Sequence, residues 1–178
     1  FKHIWRDSWG ARLEWILYNT VASVISCPNT TILSVSRMLR DDDYRNKLIP
    51  RIKDPVIANF WRDDFEKWDK RQRVDFITST VNKLDQFINA PSVRNILGQP
   101  KSTFDIRYMM DNRRIFITNL SKGSLGEERS HFLGALLVTK LQLSAMSRTA
   151  LQEANRHVFP FVIAELPNFT TDTVTTIL

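Results

Sequence analysis

Cysteine is almost missing from this chain. A lone Cys27 excludes an internal disulfide and any paired-thiolate metal site, and it suits a reducing compartment. Histidine is equally sparse: His3, His131 and His157 are scattered and offer no metal-ligand spacing. Only 5 glycines and 7 prolines in 178 residues argue against linkers and disorder. No Gly-x-x-x-x-Gly-Lys-Ser/Thr loop exists to cradle a phosphate, and there is no nucleophile elbow, zinc helix or Cys–His pair. No apolar run reaches membrane-spanning length, and the N-terminus lacks a signal-peptide pattern. By itself the chain is no complete hydrolase of a recognisable class. Its abrupt opening at Phe1 and its stop at Leu178, within what reads as a helix, have the look of a piece of a larger protein.

What remains is ordinary globular material, 43% hydrophobic and 25% charged, enough for one core or for a core plus a helical subdomain. A net charge of +6 favours polyanions such as nucleic acid or acidic lipid. Residues 1–98 carry 16 Lys and Arg against 12 Asp and Glu, net +4; residues 99–178 carry 9 against 7, net +2.

Residues 1–98 read as entirely helical. Leu13, Ile16, Leu17, Val21 and Val24 recur at three- and four-residue spacing and end at Cys27-Pro28-Asn29. Thr30 or Thr31 caps a short helix bearing Val35, Met38 and Leu39, and Asp41 starts another turn. Asp54-Pro55 is a cap followed by a first-turn proline, opening a helix with Ile57, Phe60, Trp61 and Phe65. From Lys70 to Asn89, a 3-4-3-4 step through Val74, Ile77, Val81, Leu84 and Ile88 predicts a helix packed along its length. Ala90-Pro91 breaks it, and a short helix then ends at Gly98.

Past Gln99-Pro100 the character changes. After a helical turn from Phe104 to Met110, Arg114-Ile-Phe-Ile-Thr-Asn-Leu120 reads as a strand, Ser121 to Gly126 as a loop, and Glu127 to Arg148 as a long helix with Leu133, Leu136, Leu137, Leu141 and Ser144 on one face. Val158-Phe-Pro-Phe-Val-Ile-Ala-Glu165 reads as a second, buried strand that delivers a carboxylate at its end, and Thr170 or Thr171 caps a last helix. Strand, long helix and strand predict a βαβ unit with parallel strands. The bland alternative for Glu165 is an ordinary exposed residue after a core strand.

Asn119-Leu-Ser-Lys-Gly-Ser-Leu-Gly-Glu-Glu128, then Leu133-Gly-Ala-Leu-Leu137, then Phe161 to Asp172, resemble the second half of the P-loop ATPase domain of bacterial type IV secretion and conjugative DNA-transfer ATPases, the HerA/FtsK-like branch. Ile96-Leu-Gly-Gln99, Ser102-Thr-Phe-Asp105 and the Trp9-Gly-x-Arg-x-Glu opening fit the same pattern, so the resemblance covers essentially the whole chain. It implies an α/β fold: a partial RecA-like parallel sheet in residues 99–178, preceded by an all-helical insertion subdomain in residues 1–98, with the phosphate-binding loop upstream of Phe1. It implies part of an ATP-driven motor that translocates DNA or a protein–DNA substrate, together with secretion-machine components, as a homo-oligomeric ring, commonly a hexamer. The place implied is the bacterial cytoplasm, with any inner-membrane attachment made through regions outside this chain. ATP and Mg²⁺ would serve the full-length protein, and this piece would bind neither tightly.

The family's Walker B strand ends Asp-Glu, followed by Phe-Gln-Asn-Phe. Here Ala164-Glu165 and Leu166-Pro167-Asn168-Phe169 stand there. The resemblance makes Glu165 the catalytic carboxylate that activates water. Ala164 takes the place of the Mg²⁺-holding aspartate and has no oxygen to offer, which leaves hydrolysis open. The alternative is a non-catalytic DNA- or protein-binding scaffold module with a degenerate ATPase core. Lys122, in the loop after a strand, is a candidate for nucleotide phosphate or DNA backbone, or a solvated loop lysine. Asp172 follows Phe169 as in the family, or is a first-turn acid. Lys67, Lys70, Arg71 and Arg73, interleaved with Trp61 and Trp68, are candidate DNA contacts, although Asp63, Asp64, Glu66 and Asp69 among them fit a salt-bridged solvated face equally.

Overall fold

The computed structural model describes Trp5 and residues 8–164, and these divide into two compact units, Trp5–Lys101 and residues 102–164. Each is described by itself.

The first unit is helical throughout. α1 (Ala11–Ile25) buries Leu13, Ile16, Leu17 and Val24 and packs against α2 (Ile32–Arg40). Thr31 is the N-cap of α2 in a capping box with Ser34, while the Thr30 hydroxyl donates to the carbonyls of Val24 and Cys27 at the end of α1. The two candidate caps thus serve two different helices. Asp41 caps α3 (Asp42–Leu48) through the Tyr44 N–H. Asp54 caps α4 (Pro55–Asn59), which loosens into a π turn at Phe60–Asp64 and a 3₁₀ turn at Phe65–Lys67. α5 (Lys70–Ile88) starts from an Asp69–Gln72 capping box and packs on α1 and α2; Pro91 opens α6 (Pro91–Leu97).

The widened turn at Phe60–Asp64 places Phe60, Trp61 and Phe65 together in the core. Trp61 is wholly buried, its ring centroid 4.9 Å from that of Phe65, and its indole N–H donates to the Ser23 hydroxyl at 2.7 Å. Trp68 joins the cluster against Phe65, Phe76 and Trp15. This cluster displaces the predicted seam at the start of α5: Val74 is exposed and Phe76 packs inward, while Val81 and Leu84 are buried as the spacing predicts.

In the second unit α7 (Ile106–Asp111) packs on a long helix, and the buried core of Ile106, Met110 and Leu141 is flanked by Phe104, Leu137 and Phe159. The predicted loop after Leu120 contains one helical turn, α8 (Lys122–Leu125), which ends at Gly126. Gly126 has φ +81°, a left-handed value that glycine tolerates and other residues resist. α9 (Glu127–Ser147) follows and buries Phe132, Leu133, Gly134, Val138 and Leu141, whereas Leu136 of the predicted face is exposed.

The expected α/β fold, with a partial RecA-like parallel sheet, is not what the chain forms: among the described residues there is no strand, and the architecture is all-helical. Residues 114–120 and 158–163 belong to no helix or strand, and residues 115–120 and 158–164 make no backbone–backbone hydrogen bond among the described residues. The physical reason is that β-branched residues set an extended backbone locally, while a strand exists only where a neighbour lies about 4.8 Å away to share its N–H and C=O groups. Here the place beside each segment is an open cleft. The run that reads as a buried strand accordingly leaves Val158 and Val162 exposed.

Candidate functional site

A cleft of about 1050 Å³ lies within the second unit. Its floor is one face of α9, where Ser130, Gly134, Leu137, Val138 and Leu141 follow helical spacing; its walls are residues 114–120 and 158–164. Both walls run in the same direction. The Ser130 hydroxyl, near the start of α9, donates to the Leu120 carbonyl at 2.5 Å, so the first wall ends there. Arg148, just past the end of α9, donates from Nη2 to the His157 carbonyl at 2.7 Å, so the second wall begins at that opposite end. Arg113, at the start of the first wall, stands 3.1 Å from His157 Nδ1 and joins the two beginnings.

Arg148 is the hub of this end. It is buried, and its Nε lies 3.0 Å from Asp111 Oδ1, while Arg107 grips the other oxygen of Asp111 and also donates to the Ser147 hydroxyl at 2.7 Å. The hydrogen bond from Arg107, reinforced by the charges of Arg107 and Arg148, holds the Asp111 carboxyl below its usual range despite partial desolvation. Sequence reasoning passed over Arg107, Asp111, Arg113 and Arg148. Asp111 lies four residues after Arg107, a helix-face spacing that was there to be read, but the reach of Arg148 to His157 had no local signal.

At the other end, Lys122 Nζ lies 3.1 Å from Glu127 Oε1, and this contact depresses the Glu127 carboxyl. Lys122 therefore already serves a carboxylate. Asn119 turns its side-chain oxygen back to the Ser121 N–H at 3.0 Å and holds the loop. Lys122 and Ala164 both line the cleft. Glu165, the catalytic candidate, and Asp172 lie outside the described residues. Ala164 presents a methyl group where a metal-holding carboxylate is expected, and among the described residues no group of three or more His, Cys, Asp or Glu could hold a metal ion. The described residues thus offer no Mg²⁺ ligand set.

The basic candidates belong to the first unit and do not act as one cluster. Arg73 is half-buried: its guanidinium sits 4.9 Å from the Phe65 ring centre, donates to the Phe65 carbonyl at 3.3 Å, and pairs with Glu66 at 3.5 Å and Asp42 at 3.8 Å. Arg45, only 1% exposed, binds the same two acids and stands over the same ring. Lys67 lies 3.9 Å from Asp63. Lys70 and Arg71 are exposed and make no ion pair with a described residue. Trp61 is core, and Trp68 is partly buried against Phe65.

No family model, curated protein or solved structure matches the chain. Among the described residues no helix is long and apolar enough to cross a membrane.

Proposed function

We propose that the chain is part of an ATP-driven motor that moves DNA or a protein–DNA substrate in type IV secretion or conjugation. The observation that carries this reading is the convergence at one cleft. Two co-directional segments joined by α9 line it together with Lys122 and Ala164, and Glu165 follows Ala164 directly in the sequence. The order of the Asn119–Gly126 loop, Leu133-Gly-Ala-Leu-Leu137 and the Phe161-to-Asp172 stretch supports the same reading. ATP and Mg²⁺ belong to the whole motor, a ring in the bacterial cytoplasm; no step of hydrolysis is assigned to the described residues, which hold no metal ligand set. Within the motor, Lys70 and Arg71 of the helical unit face the polyanionic substrate.

The test is turnover by the motor at its natural length. Glu165→Gln should nearly abolish ATP hydrolysis while nucleotide binding persists, because a general base within reach of the attacking water is lost. Equal turnover in both proteins removes Glu165 from the reaction. The present chain alone should bind ATP·Mg²⁺ too weakly for calorimetry, and micromolar affinity would overturn that expectation.

A second reading, a non-catalytic DNA- or protein-binding scaffold module, is favoured by Ala164 and by the engagement of Lys122 with Glu127. Absence of turnover in the natural-length protein, with DNA or protein binding kept, selects it.

A further inference from the structure

The end of the second unit where α7 and α9 finish holds positive charge that its own groups leave uncompensated. Arg107, Arg113, Arg114, Arg148 and Arg156 gather there, and the acids that accompany them are Asp111 and Glu153. Asp111 is shared by Arg107 and Arg148, and Glu153 is exposed and makes no ion pair with a described residue. The other arginines bind neutral acceptors. Arg113 donates to His157 Nδ1 at 3.1 Å, and Arg156 donates to the carbonyls of Leu151 and Thr149, each at 2.9 Å. A neutral acceptor satisfies a donor and leaves the charge in place. Arg114 makes no side-chain hydrogen bond or ion pair with a described residue, and Arg113, Arg114 and Arg156 are all exposed.

Arg113 also stands against the preference of its own backbone. It follows the C-cap residue of α7, Asn112, and the next N–H, that of Arg114, returns to the Met109 carbonyl at 2.9 Å, the bond that closes a Schellman turn. Its φ is +55°, where a side chain crowds the backbone and glycine is favoured. The tie to His157 is an exposed hydrogen bond between side chains and returns little of that cost. A strained residue of this kind points to a use for its side chain.

A nucleotide at the Lys122 end of the cleft does not reach these arginines. Lys122 pairs with Glu127 at the start of α9, and Arg148 follows the end of that 21-residue helix, about 30 Å away at 1.5 Å per residue. A permanent cover from the rest of the motor fits poorly as well. It would have to bring carboxylates to the excess guanidiniums and dehydrate both, and desolvation offsets most of that attraction. A phosphate backbone instead meets arginine in a wet contact and gains by releasing its counterions.

We propose that Arg113 and Arg114 form a contact for the phosphate backbone of DNA on the second unit, with Arg156 adding to the local potential; the proposal rests on the motor reading for the presence of that substrate. The contact is to phosphate, so it is insensitive to base sequence.

The experiment measures binding of the natural-length protein to a labelled duplex by fluorescence anisotropy across a salt series. Arg114→Gln should lower the slope of log affinity against log salt by about 0.9, one phosphate contact, and Arg114→Lys, which keeps the charge, should restore it. Arg113→Gly should lower the slope by a similar amount while amide protection of α7 and α9 stays equal or rises, because glycine relieves the backbone. Arg114 should react with phenylglyoxal in the free protein and be shielded by saturating duplex. Duplex binding with a slope unmoved by Arg114→Gln and Arg113→Gly would overturn the contact and leave the motor reading standing. No duplex binding by the wild type at low salt would overturn it too, and turnover in Glu165→Gln would still decide the motor reading separately. An Arg114 that is unreactive without DNA would overturn it in favour of a cover from the rest of the same protein. Arg114-dependent binding to phosphatidylserine vesicles in place of duplex would overturn it in favour of a membrane surface. A several-fold loss of protection in Arg113→Gly would assign Arg113 to the fold and overturn its part in the contact.

Discussion

Replacing Arg148 by methionine tests whether one side chain fastens the second wall of the cleft to the helical scaffold. Methionine keeps the apolar length of the stem and removes the guanidinium. Two interactions go. The bond from Nη2 to the His157 carbonyl is charge-assisted, short at 2.7 Å and largely shielded, and such bonds contribute about 1.5–3 kcal/mol. The ion pair with Asp111 is partly solvated, with Asp111 29% exposed, and adds little because Arg107 still holds that carboxylate. The loss is about 1.5–3 kcal/mol, or about 10- to 140-fold in an opening equilibrium at 1.4 kcal/mol per tenfold. Lysine at 148 keeps the charge but has no second arm to span both partners, so Arg148→Lys should lie between.

All five tryptophans lie within Trp5–Lys101, so their fluorescence reads the first unit. The assay is therefore amide exchange of α7 and α9 beside tryptophan fluorescence in urea. The expected outcome is exchange in α7 and the last turns of α9 faster by about tenfold or more, with the fluorescence midpoint unmoved. An unchanged exchange rate in Arg148→Met would refute the fastening role. An equal effect from Arg148→Lys and Arg148→Met would assign the whole contribution to the fork of the guanidinium and none to its charge.

Ser23→Ala should lower the urea midpoint of the fluorescence transition by the equivalent of about 1–3 kcal/mol, since it orphans the wholly buried indole N–H of Trp61. Asp111 has a folded-state pKa below its usual 3.8, so its stabilisation is complete above that value and is lost as pH falls through the depressed one. Protection of α7 amides, corrected for the intrinsic pH dependence of exchange, should then be flat from pH 7 to about 4 in the wild type and fall only below, and Asp111→Asn should remove that acid-limb fall. For DNA, replacing Lys70 and Arg71 together by alanine should flatten the salt dependence of binding to a labelled duplex by up to about two phosphate contacts, at roughly 0.9 per contact. Arg73→Ala should instead destabilise the first unit without changing that slope, because Arg73 is committed to Phe65, Glu66 and Asp42; equal slopes in wild type and the double variant would mean that this face meets no DNA.

Local signals were legible wherever the energetics are local. Asp41 and Asp54 cap the helices that follow them because a short acid side chain reaches the next turn without help from the rest of the fold. The face of α1 was legible for the same reason. Reading failed where partners distant in sequence decide. Nothing near Val74 says that Trp68 and Phe76 will occupy the inner side of α5, and nothing in Lys67–Arg73 says that Glu66 and Asp42 will claim Arg73 but leave Lys70 and Arg71.

The misread strands teach the sharper lesson. The apolar runs around Ile115 and Val162 carry the composition of chain buried on both faces, and that composition is a statement about neighbours. A helix closes its hydrogen bonds within itself; an extended run states only that a partner is wanted. α9 closes its own ladder over 21 residues, and residues 115–120 and 158–164 make no backbone–backbone hydrogen bond among the described residues. The strand reading therefore fails for both runs, neither of which is a strand among the described residues. Instead both wall segments are fastened to opposite ends of α9 by side chains distant in sequence, Ser130 at the Leu120 carbonyl and Arg148 at the His157 carbonyl, contacts that no local pattern announces.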